Sequence, residues 1–207
     1  MYSQEILDKA YNDFLKIKRE RGSHHGFSEE QYKADFMRGI ANDNEEREVI
    51  IKGDRLLIRK ACIADSEFMS NVERNSDNSP WVANWPLGWR IAKFGDEDFL
   101  QVIIELKDGT PIGFIIFRDM LNKREAVELK RIAIIEKGKG YGKETLYLAQ
   151  KMAFELFNTN RLYLHTKEAN IRAQSIYKAT GFTAETPDPC ISFYMDKSDY
   201  KKITNKE

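Results

Sequence analysis

Residues 135–145 read IEKGKGYGKET, with glycine at 138, 140 and 142, lysine at 137, 139 and 143, and no proline. Glycines at alternate positions let backbone N–H groups approach a ligand closely. Such a turn at a helix start adds unpaired donors and the positive end of the macrodipole. Glycine also collects in plain surface turns, so spacing and context decide what is bound. A dinucleotide fingerprint requires G-x-G-x-x-G, and Thr145 stands where the third glycine belongs. A Walker A loop requires glycine where this chain has Lys137 and a magnesium-binding hydroxyl where it has Glu144. The remaining reading is a diphosphate held without an obligatory metal. Each anion–helix contact contributes roughly 0.3–1 kcal/mol, so a tightly held ligand must find further contacts elsewhere.

Downstream of the glycines, KETLYLAQKMAFELF places Leu146, Ala149, Ala153 and Leu156 at helical spacing, and RLYLHT reads as a strand. A second helix, NIRAQSIYKAT, ends at Gly181, where a left-handed residue is wanted, and ISFYMD alternates like a strand with one buried face. Upstream, RLLIRK is a strand and DSEFMSNVERN a helix opened by Asp65 or Ser66. NSPWVANWPLGW, with three tryptophans, two prolines and a glycine, reads as a loop. FLQVIIEL and PIGFIIF form a hairpin around KDGT, and AVELKRIAII adds a third run. This order implies an α/β fold with a mixed, mainly antiparallel sheet and helices on both faces.

Before this core, Ile6, Leu7, Ala10, Tyr11, Phe14 and Leu15 form one helical stripe, and Ser28 with Gln31 opens a second helix carrying Tyr32, Phe36 and Met37. The acidic run NDNEERE follows. Residues 1–50 are read as a helical arm and 51–207 as the main domain. The chain has 207 residues, 33 basic and 33 acidic, so no overall charge points to nucleic acid or an anionic membrane. The first residues lack a signal-peptide pattern, and no apolar run approaches membrane length. Cys62 and Cys190 fit neither a metal motif nor a secreted disulfide framework, so a reduced cytoplasmic setting is expected. His24 and His25 read as a surface pair, His165 lacks ligand-like spacing, and no metal is expected.

The paired motifs carry a resemblance. Lys137, Gly140 and Gly142 follow the pattern [RQ]-x-x-G-x-[GA], with lysine replacing the usual arginine or glutamine. Asn170, Ala173, Tyr177, Gly181 and Phe182 match N-x-x-A-x-x-x-Y-x-x-x-G-F in full. Together with the element order over roughly residues 55–196, the chain resembles the GNAT superfamily of acyl-CoA-dependent N-acyltransferases.

That resemblance implies a sheet splayed between the strands at 126–135 and 161–166, with the coenzyme A diphosphate on the amides of Lys137, Gly138, Lys139, Gly140, Tyr141, Gly142 and Lys143. Asn170 and Ala173 belong to the same cofactor-binding set. The pantetheine arm is expected to pair with the backbone of Ile132 and Ile134, as an added strand would. Tyr177 occupies the position of the acid that protonates the departing thiolate; a core ring is its bland alternative. Glu128 is the candidate base that helps deprotonate the amine, acting directly or through water. It shares the alternation class of Ile132 and Ile134, so only a bulge would turn it away from their face. Glu73 and Glu105 are reserve candidates, more simply read as solvated.

Trp81, Trp85 and Trp89 could wall the acceptor side or equally cover one end of the core. The implied activity is acetyl transfer from acetyl-CoA to a primary amine in a ternary complex, and both cysteines fall outside the motifs, which suits direct transfer. The acceptor is open between a protein N-terminus, a polyamine and another small amine. The layout is also similar to the branch that acetylates ribosomal-protein N-termini. The competing readings are a non-catalytic acyl-CoA sensor and an interaction module whose helical arm docks a partner; the arm could equally cap the acceptor site or mediate a homodimer.

Overall fold

In the computed structural model, which describes residues 2–20, 27–43, 48–185 and 190–205, the β-branched runs form one sheet. In chain order the strands are β1 (Val49–Lys52), β2 (Leu56–Lys60), β3 (Phe99–Leu106), β4 (Pro111–Arg118), β5 (Ala126–Ile134), β6 (Arg161–Lys167), β7 (Thr183–Glu185) and β8 (Cys190–Asp196). Their spatial order is β1-β2-β3-β4-β5-β6-β8-β7, antiparallel throughout except for the parallel β5–β6 pair. That pair is joined only from Ala126 to Glu128 against Arg161 to Tyr163, and beyond it the two strands separate. The expected α/β sheet with a splay at this position is therefore present.

Strand alternation assigns the two faces. Ile104, Ile115, Phe117, Val127, Leu129, Ile134, Leu162, Leu164 and Phe193 pack against α5 (Tyr141–Lys151) and α6 (Ile171–Ala179). Ile103, Phe114, Ile116 and Ala133 pack against Met69 and Val72 of α3 (Ser66–Arg74). Along β5 the register on β4 slips by one residue, with Leu129 opposite Phe117 but Arg131 opposite Ile116. Lys130 is the extra residue of a bulge. Val127 and Leu129 therefore share the face of Ile132 and Ile134, whereas Glu128 joins Arg131 and Ala133 on the other.

One helix departs from the sequence reading. The supposed tryptophan loop gives way at Leu87 to α4 (Leu87–Gly95), which carries Trp89. Gly88, counted with the loop in the sequence reading, and Gly95 are there for contact. A Cβ on Gly88 would stand 2.2 Å from the Ala10 carbonyl oxygen, and one on Gly95 would stand 1.9 Å from that of Asp35. Through these approaches α4 holds α1 (Gln4–Glu20) and α2 (Glu29–Ala41), and Phe14, Tyr32, Phe36 and Ile91 form a third apolar cluster. Ser28 caps α2 by accepting from the Gln31 amide at 3.2 Å. The chain reaches the sheet at Val49, inside the segment read as the end of the arm. A last helix, α7 (Lys197–Thr204), covers the end of β8.

Candidate active site

The loop between β5 and α5 has the backbone its glycines predict. Gly138 and Gly140 both take φ +79°, and Gly140 occupies the N-cap of α5. Among the described residues none accepts from the amides of Gly138, Lys139 or Gly140, and the first helical amides of Tyr141 and Gly142 have no intrahelical acceptor by construction. A concave run of free donors results, with the helix dipole behind it. Lys137 turns inward: its Nζ donates to Asn78 Oδ1 at 2.6 Å, and burial, together with the nearby Arg172 charge, pushes its ammonium below the usual lysine range.

Glu144 locks this loop to the sheet. Its carboxylate accepts from the amides of Arg55 and Leu56 at 2.8 and 3.0 Å and from Arg55 Nε at 2.8 Å. Arg55 in turn donates to the Lys139 carbonyl at 2.8 Å and lies 4.9 Å over the Tyr141 ring. Burial alone would raise the Glu144 carboxyl, but these hydrogen bonds outweigh it and hold the group below the usual carboxylate range. A depressed group stabilises above its unfolded value of about 4.3 and loses that contribution as pH falls through the folded value. Glu144→Gln is expected to weaken CoA binding by up to about tenfold, since roughly 1 kcal/mol of a partly exposed charged contact is lost. Calorimetry with CoA at neutral pH measures this, and an unchanged dissociation constant would remove Glu144 from the loop's support.

On β5, the Ile135 amide donates to the Ile112 carbonyl at 2.8 Å. Antiparallel alternation then commits Ala133 and Arg131 to β4 and directs the backbone groups of Ile132 and Ile134 into the splay. Asn78 Nδ2 already donates to the Ile134 carbonyl at 3.2 Å, which leaves the Ile134 amide and both groups of Ile132 at the open edge. A cavity of about 530 Å³ fills the splay, lined at one end by Gly138, Gly140, Tyr141, Gly142 and Lys143. Ile132, Ile134, Asn170, Ala173 and Tyr177 line it too.

Local rules place α6 on this cavity. Asn170 caps it by accepting from the Ala173 amide at 3.2 Å, so the Asn–Ala pair of the motif is a helix start. Gly181, at φ +90°, closes it in a Schellman arrangement, with the Phe182 amide donating to the Tyr177 carbonyl and the Gly181 amide to that of Lys178. Tyr177 packs against Phe182 and Phe193, and burial pushes its phenol up to about 12.

The carboxylate candidates lie elsewhere. Glu128, 1% exposed, is 2.7 Å from an Arg118 guanidinium nitrogen and is not among the cavity-lining residues, because the Lys130 bulge turns it to the α3 face. Glu73 and Glu105, which read as solvated, are sealed. Glu105 pairs with Arg59 at 2.8 Å, and Glu73 pairs with both Arg90 and Arg131. The tryptophans separate too. Trp81 lines the cavity, Trp85 lies under the Arg131 guanidinium, and Trp89 stacks on Phe14 in the helical cluster.

Several cavity residues escape the motifs. Arg172, in the first turn of α6, lines it, as do Lys130, Arg131, Lys167, His165 and Cys190. His165 Nδ1 lies 2.9 Å from Ser192 Oγ, so the histidine is placed by β8. The strand alternation that reveals His165, Lys167 and Cys190 becomes informative only once β6 and β8 are known to pair. His24 and His25 lie outside the described residues. Among those residues no group of three or more His, Cys, Asp or Glu could hold a metal, and no helix is long and apolar enough to cross a membrane.

A spermidine N-acetyltransferase from Vibrio cholerae, solved in complex with CoA and spermine, superposes with TM-score 0.63 at 18% identity, covering 72% of this chain and 99% of that one. A GNAT-family acetyltransferase from Bacillus anthracis superposes with TM-score 0.59 at 18% identity, covering 72% and 98%. These likenesses concern the fold. Comparison with curated proteins finds no match. The acetyltransferase (GNAT) domain family matches residues 55–183, which span the β2 strand, the splay, the glycine loop and the α6 motif. The chain therefore belongs to the GNAT acetyltransferase family.

Proposed function

We propose that the protein transfers the acetyl group of acetyl-CoA directly to a primary amine. The observation carrying this reading is one continuous cavity that joins the free amides of the glycine loop, the unpaired β5 edge and Tyr177. The donor set fits coenzyme A: amides and a helix start for the diphosphate, Lys143 and Arg172 beside it, and a strand edge for the amides of the pantetheine arm. When bound, the cosubstrate supplies the activated acyl group. The protein's part is to align it, exclude water and present the Tyr177 hydroxyl where a thiolate develops.

Glu128 is paired and turned from the cavity, so any role in removing the amine's proton runs through water beside Lys130. Glu128→Gln is accordingly expected to lower kcat less than loss of the Tyr177 hydroxyl does; an equal or larger loss would place Glu128 at the reacting centre.

Titration with CoA by calorimetry, followed by an amine panel with acetyl-CoA monitored by free thiol and product mass, tests the proposal. Binding with thiol release coupled to an acetylated amine is the expected result. Binding without acetylation of any amine would favour a CoA sensor, and no binding would remove both readings.

A further inference from the structure

The cavity passes through the splay to the opposite face of the sheet. There the side chains of Arg131, His165, Lys167 and Cys190 meet Asp77 and Trp81 from the segment after α3. Leu162, Leu164 and Phe193 belong to the α5–α6 face, so their strand neighbours His165 and Ser192 belong to this one. Among the described cavity-lining residues, Asp77 is the carboxylate of this mouth. Glu136 lies at the glycine-loop end and pairs with Lys139. Lys167 Nζ donates to the Pro80 carbonyl at 2.8 Å, which fixes its position, and no described carboxylate pairs with it.

Arg131 carries a second imbalance. Arg90 and Glu73 are each fully buried, Arg131 is nearly so, and the two guanidinium groups share this one carboxylate. Arg90 Nε is sealed without an acceptor, and no other described carboxylate lies within ion-pair distance of either arginine. Two cations on one anion leave a buried unit of positive charge, a state costing several kcal/mol unless a further anion arrives. Arg131 is the member of this triad that reaches the cavity wall.

We infer that the acceptor is an amine whose other end carries an anion, a carboxylate or a phosphate, received by Arg131 and Lys167. The inference rests on the acetyl-transfer reading above and names its substrate class. A carboxylate or phosphate meets a guanidinium in two parallel charge-assisted hydrogen bonds and completes the charge balance of the triad. The same field disfavours a polyamine, whose remaining ammonium groups would face Arg131 and Lys167. It also favours the neutral form of the reacting amine, because nearby like charge opposes the ammonium. The site can thereby favour a nucleophile without drawing on Asp77 or Glu136, the carboxylates of its lining.

The test uses the full chain with acetyl-CoA and five acceptors: glycine, 4-aminobutyrate, 3-aminopropyl phosphate, n-butylamine and spermidine. At least one anionic amine is expected to exceed n-butylamine in kcat/KM by about tenfold or more, the scale of one charged contact, with spermidine the poorest. The relative rates of the carboxylates and the phosphate identify the anion. Arg131→Gln leaves Arg90 and Glu73 as a balanced pair, and Lys167→Gln alters an exposed chain. Each is expected to reduce the anionic preference while the CoA dissociation constant holds. Spermidine or n-butylamine turning over as well as every anionic amine, turnover of no anionic amine by protein that binds CoA, or a preference that survives both substitutions overturns the inference. Failure to bind CoA removes the acetyl-transfer reading instead.

Discussion

Tyr177→Phe is expected to lower kcat for acetyl transfer by about 10²–10⁴-fold, the usual contribution of a positioned general acid, while CoA binding stays essentially unchanged. The substitution keeps the ring that packs on Phe182 and Phe193 and removes only the hydroxyl in the cavity wall. Burial pushes that phenol up to about 12, so it remains protonated wherever a free amine is available. The same desolvation raises the basicity of a thiolate formed beside it, which brings donor and acceptor closer in proton affinity. An alkaline limb due to Tyr177 would consequently lie near pH 12, outside an ordinary assay range. Steady-state kinetics against a responsive amine, with calorimetry of CoA on both proteins, measure the effect. Unchanged turnover would reduce Tyr177 to a core ring.

What was legible in the sequence is what local rules determine. The Asn170 cap, the Gly181 terminus and the left-handed glycines at 138 and 140 are each settled within a few residues, so the two motifs read correctly as a loop and a helix. The alternating runs gave six of the eight strands described, all but β1 and β7, and the mixed sheet for the same reason. α4 was missed because Gly88 and Gly95 lower local helix propensity, yet they answer a tertiary demand, the close approach of Ala10 and Asp35. The orientation of Glu128 depends on a bulge at Lys130 that no turn residue marks. Three tryptophans within nine positions went to a cavity wall, a guanidinium cover and a helical core, because a loop and a helix start divide them. The Arg131–Glu73 contact spans 58 residues, beyond any local pattern, so the cationic mouth became visible only in the folded chain.

Glu73→Gln is expected to destabilise the fold by about 3–5 kcal/mol, the range for removing one partner of a buried ion pair. For a chain of this size that corresponds to a fall in Tm of roughly 6–20 °C. The glutamine would leave Arg90 and Arg131 facing each other without an anion, while the Trp85 amide, which donates to Glu73 Oε2 at 2.9 Å, would retain at most a neutral acceptor. Arg131→Gln makes the opposite change. It removes the surplus cation, keeps the Arg90–Glu73 contact at 2.7 Å, and is expected to cost no more than about 1 kcal/mol. The direction of this asymmetry follows from charge count alone, since both substitutions remove one member of the same triad. Thermal unfolding of the two variants beside the parent chain measures it, and equal losses would mean that the triad is held by packing and that its net charge has no energetic consequence. A larger loss for Glu73→Gln would show that the protein carries an uncompensated guanidinium at the wall of its cavity, in the place where an anionic acceptor would neutralise it.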